Sequence, residues 1–143
     1  MRTRLFHLGF GVVIAALLAT TPFASAEMIK LKAQLSGASE VPPNKAKATG
    51  TADVTYDTVA KKMSWKVTYS GLSGPARAAH FHGPAPKGKN AGVAVAIANT
   101  ASGAEGSAPL SDAQAKDLLA GNYYINYHTA ANPGGEIRGQ VTK

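Results

Sequence analysis

Three histidines carry the chemistry this chain could do. His80 and His82 stand two residues apart in the run Ala79-His80-Phe81-His82-Gly83-Pro84, and His128 follows much later in YYINYHT. In an extended segment successive side chains alternate faces, so His80 and His82 point one way and Phe81 the other. Their Cα atoms then lie roughly 6.6 Å apart, close enough for both rings to lean onto one ion. Neutral imidazoles suit copper, zinc, nickel or iron, and copper(II) binds most tightly in that series. Three ligands leave a coordination position open, as in catalytic rather than closed structural sites. The expected cofactor is copper, with zinc the alternative. Protons compete for the same nitrogens, so affinity is expected to weaken as pH falls through about 6.5. Met28 and Met63 could offer thioethers, but they read as tail and core. The chain has no cysteine, which excludes thiolate sites and thiol catalysis. No phosphate loop, Ser-His-Asp order or paired carboxylates favour a hydrolase.

The elements that must position these rings are strands. Residues 29–36 alternate, with Ile29, Leu31, Ala33 and Leu35 on one face and Lys30, Lys32, Gln34 and Ser36 on the other. The same alternation puts Ala52, Val54 and Tyr56 inward in a second strand, and Met63, Trp65, Val67 and Tyr69 inward in a third. A short connection makes these two a hairpin. The His-x-His strand comes fourth. Residues 83–92 form a Pro/Gly loop, and Val93, Val95 and Ile97 mark a fifth strand. Residues 99–109 read as loop with a short edge strand. Residues 111–120 form a helix, with Ser111 as N-cap, Gln114 completing a capping box and Gly121 past the end. Tyr123, Ile125 and Tyr127 face inward on the next strand, and Ile137 and Val141 on the last. The expected fold is all-β, an antiparallel sandwich or Greek-key barrel with one short helix.

Parity places the remaining site candidates. His80, His82 and His128 all fall opposite the apolar residues of their strands, on the outer side. Tyr124 and Asn126 share that side with His128. Glu136, Arg138 and Gln140 share it on the paired strand. Arg138 could attract an anion or orient a ligand through Glu136, with Tyr124 and Asn126 also around the ion; an ordinary Arg–Glu pair is the alternative.

The N-terminus reads as an export signal: Arg2 and Arg4, an apolar stretch over 8–18, and an Ala24-Ser25-Ala26 cleavage site. His7 lies within it. Cleavage leaves residues 27–143, one domain with no further segment able to cross a membrane, and a periplasmic or secreted location. That part carries 13 Lys and Arg against 8 Asp and Glu, a net of +5. Such a field attracts small anions or anionic surfaces. No arginine cluster interleaves with aromatics, so nucleic acid is not an expected partner.

Four stretches together resemble the CHRD domain, the module named from chordin and found in exported bacterial proteins. They are Leu35-Ser36-Gly37-Ala38-Ser39-Glu40-Val41-Pro42-Pro43, the His-x-His run with Ala85, the segment 121–129 with Leu110-Ser111 before it, and Pro133-Gly134-Gly135-Glu136-Ile137-Arg138-Gly139-Gln140. The resemblance spans about 29–142 and implies an immunoglobulin-like all-β module. It implies little about activity, and chordin's growth-factor binding does not transfer. The His-x-His strand is also similar to that of copper-zinc superoxide dismutase. Here no further histidines exist for a zinc subsite, and no disulfide can form. Three functions stay open: a copper-binding protein, a copper-only redox enzyme of the dismutase kind, and a metal-free module that binds a protein partner.

Overall fold

The computed structural model describes residues 25–143, so the expected leader lies almost wholly outside the described residues. Eight strands and one helix follow in order: β1 (Met28–Ser36), β2 (Thr49–Asp57), β3 (Lys62–Ser70), β4 (Ala78–His82), β5 (Val93–Ala96), β6 (Glu105–Pro109), α1 (Asp112–Leu119), β7 (Tyr123–His128) and β8 (Ile137–Val141). They form one antiparallel sheet in the order β5-β4-β7-β8-β1-β2-β3-β6. The sheet nearly closes on itself. Its two edges, β5 and β6, flank a gap walled by Trp65, Ala96 and Gly106. The all-β barrel expected from the alternation is therefore the fold.

The alternating apolar residues fill the interior. Leu31, Leu35, Val54, Met63, Phe81, Ile125, Ile137 and Val141 are all buried. Trp65 is 7% exposed and meets Phe81 edge-on, with ring centroids 5.1 Å apart. This contact links the central hairpin to the histidine strand, because Phe81 stands between His80 and His82. The β2–β3 hairpin turns on Asp57, whose Oδ1 accepts from the Val59 and Ala60 N–H groups. The capping box at α1 forms in both directions between Ser111 and Gln114. Gly121 follows with φ 77°, a left-handed conformation that costs glycine little.

The outer face differs from expectation in one respect. Tyr124, Asn126, Glu136 and Arg138 do point away from the core, but all four are buried rather than solvent-facing. Two loops cover them. Residues 83–92 fold back over the sheet, where Arg138 donates to Lys89 O at 2.6 Å and to Asn90 Oδ1 at 2.7 Å. Residues 40–48 are pinned by Asn44, which donates to the Gly135 and Glu136 carbonyls. Gly135 is needed here: a Cβ would stand 2.5 Å from Glu40 Oε1.

Candidate metal centre

Strands β4 and β7 are hydrogen-bonded neighbours, with Ala78 opposite His128, His80 opposite Asn126 and His82 opposite Tyr124. His128 is thus one diagonal step from His80 on the shared outer face. The three rings converge. Centroids of His80 and His82 lie 5.5 Å apart, those of His80 and His128 5.2 Å, and those of His82 and His128 6.4 Å. One ring nitrogen from each lies within 4.8 Å of the others. All three side chains are half-buried.

Backbone carbonyls fix how two of the rings carry their protons. His82 Nδ1 lies 3.0 Å from Ala91 O, and His128 Nδ1 lies 2.9 Å from Pro133 O. A carbonyl only accepts, so each Nδ1 bears the hydrogen and each Nε2 presents its lone pair. His82 Nε2 is buried and has no protein partner. His128 Nε2 lies 3.3 Å from His80 Nδ1, which donates to it in the metal-free protein. Holding the second ring nitrogen by a carbonyl is the usual arrangement behind a ligating histidine.

The geometry suits a small ion. Tetrahedral bonds of 2.0–2.1 Å separate ligand nitrogens by roughly 3.3 Å. The His80–His128 pair already has that spacing, and a nitrogen from each of the three rings lies within 4.8 Å of the others. Burial, then the neighbouring His128 and His82 rings, holds His80 below the usual histidine range. Burial also lowers His82, against the hydrogen bond it donates to the Ala91 carbonyl, which raises it. Both effects favour the neutral, ligating form.

The four expected neighbours divide. Tyr124 stacks on His82, with centroids 4.9 Å apart and planes 3° from parallel, and its hydroxyl donates to Ala91 O at 3.2 Å. Asn126 faces His82 from the adjoining strand position. Arg138 does not reach the histidines. It packs on the Tyr124 ring, Cζ 3.4 Å from the centroid, and grips the 83–92 loop. No ion pair forms between Arg138 and Glu136, and Glu136 does not orient a ligand through it. Burial would raise the Glu136 carboxyl, but hydrogen bonds from Ser73, Thr129 and Asn132 outweigh it and hold the pKa low. These bonds fasten the 129–135 turn that presents Pro133 O to His128. Met28 is exposed and Met63 lies in the core, as expected.

The sequence reading passed over Glu40. It sits in a Pro-flanked stretch that reads as loop, yet it is 6% exposed. Burial pushes its carboxyl up to about 7, against the pull of Arg138, Asn126 and the Val41 backbone.

The cluster opens on one side to a shallow cleft of about 430 Å³, lined by His80 and His128 with Arg77, Ala78, Ala130 and Pro133. Among the described residues no helix is long and apolar enough to cross a membrane. The family model of the CHRD domain matches residues 31–141. No curated protein matches the chain, and no solved structure does.

Proposed function

The chain belongs to the CHRD-domain family, and we propose that it binds one transition-metal ion, copper foremost, through His80, His82 and His128 after export from the cytosol. One observation carries the reading. Three half-buried imidazoles from paired strands converge, and two have Nδ1 committed to backbone carbonyls so that Nε2 is left to ligate. A surface histidine without such a role has no need of a carbonyl behind it. An all-nitrogen donor set favours copper(II) over the other divalent ions by intrinsic affinity.

The ligands come from two paired strands, β4 and β7, so one hydrogen-bonded ladder sets the backbone positions of all three. Tyr124 fixes the His82 ring plane, and the Glu136 network fixes the turn behind His128. The cleft beside His80 and His128 leaves room for solvent or a small reactant, which favours redox turnover as a second reading. Elemental analysis of protein purified from the exported fraction tests the first reading. About one equivalent of copper per chain is expected; a metal content no higher than in a His80→Ala/His82→Ala variant contradicts it. Turnover of superoxide above that of the same concentration of free copper would support the second.

A further inference from the structure

A second site lies on the outer face away from the histidines. Its floor is the outward side of β8 and β1, with Arg138 and Gln140 from one and Lys32 and Gln34 from the other. The 86–88 loop and the turn after α1 wall it. The cavity holds about 580 Å³, larger than the cleft beside the histidines. Three of its lining residues are cationic, Lys32, Lys87 and Arg138, and none is acidic.

None of these three cations forms an ion pair. Arg138 is 2% exposed, its two hydrogen bonds go to neutral oxygens, and it makes no ion pair. Taking a guanidinium out of water without a counter-charge is costly, and the Tyr124 face offsets this only in part. Glu40 pulls on it electrostatically but lies outside the cavity lining and is itself held up to about 7. Lys32 and Lys87 are exposed and join no salt bridge. At the same wall Gln140 spends its amide hydrogens on Ala85 O and Gly121 O, and its Oε1 is buried without a partner.

We propose that this cavity binds a small, multiply charged oxyanion bearing carboxylate or phosphate groups. Two exposed lysines over a buried guanidinium suit a ligand of two or three negative charges. A singly charged one gains much less from the same field. Lys87 and the Arg138-bound residues Lys89 and Asn90 share a loop with Ala91, the carbonyl partner of His82. The bound anion therefore sits on the segment that also braces the histidine cluster.

The test uses the metal-free protein, so its outcome does not depend on the metal reading. Citrate, inorganic phosphate and acetate are titrated at low salt, read by backbone amide NMR shifts. Citrate or phosphate is expected to saturate with Kd below about 1 mM, and acetate to bind at least about tenfold more weakly. Shifts should centre on Lys32, Gln34, Lys87, Gly88, Asn122 and Gln140. Tighter citrate assigns a polycarboxylate ligand, and tighter phosphate a phosphorylated one. Lys32→Gln with Lys87→Gln should weaken binding about tenfold or more, whereas Lys45→Gln with Lys62→Gln, the same charge change away from the cavity, should cost under about twofold. His80→Ala/His82→Ala should bind the anion as wild type does. No saturable shift with either polyanion at about 10 mM, or equal losses from the two lysine pairs, would overturn the proposal.

Discussion

A histidine is useful to a metal only if its proton stands on the far nitrogen, and here two carbonyls put it there. That detail was not legible in the sequence, because Ala91 O and Pro133 O are backbone carbonyls of loops, which residue types do not aim. Strand parity did give the facing of all three rings. Burial lowers His80 and His82 below the usual range, so protons compete with copper at these two rings at lower pH than at a free imidazole. NMR titration of the metal-free protein checks this: the His80 and His82 ring signals should move with midpoints below about 6.5, and a midpoint at or above that value for either ring would contradict it. Glu40 gives a test free of metal. Its carboxyl titrates at about 7 in the fold against 4.5 unfolded. Between these values the folded protein holds more protons, so stability falls as pH rises, and this fall is complete once pH passes 7. Glu40→Gln removes that loss, and relative to wild type it should gain about 1–3 kcal/mol between about pH 4 and pH 8. Denaturant melts showing a constant difference across that range would count against the buried-acid assignment.

At the scale of the element, β4 carries the site because its two faces do different work. Phe81 is fully buried against Trp65 while His80 and His82 stand on the other side. Alternation of this kind is a local pattern, which is why the strands, the hairpin, the capping box and even the edge strand β6 were readable from residue order. The covering of the outer face was not, since Arg138 meets Lys89 and Asn44 meets Gly135 across 49 and 91 positions. Parity therefore placed Tyr124, Asn126, Glu136 and Arg138 on the right side and gave them the wrong solvent exposure. Trp65→Ala should cost about 3–5 kcal/mol in global stability, as for other large buried aromatics. It should also loosen β4, read as faster amide exchange at Phe81 than at Val54. A thermally neutral Trp65→Ala would mean that the hairpin and the histidine strand are not joined through the core.

At the largest scale the described residues form one nearly closed sheet whose interior is apolar and whose outer face holds two polar clusters beside loops, one of imidazoles and one of cations. The family match fits that frame over 111 residues, 31–141, but prescribes no chemistry for either site. Export belongs to this scale too. The A-x-A motif predicts a mature N-terminus at Glu27, and intact-mass measurement of the exported protein checks it; a mass retaining residues 1–26 would contradict it. The central claim is that one ion is held by histidines from both β4 and β7. Calorimetric titration of copper(II) into metal-free wild type and His128→Ala tests it most directly. The expected result is one equivalent bound by wild type and at least about tenfold weaker binding by His128→Ala at unchanged thermal stability. If His128→Ala binds copper as tightly as wild type, the three-histidine centre is wrong.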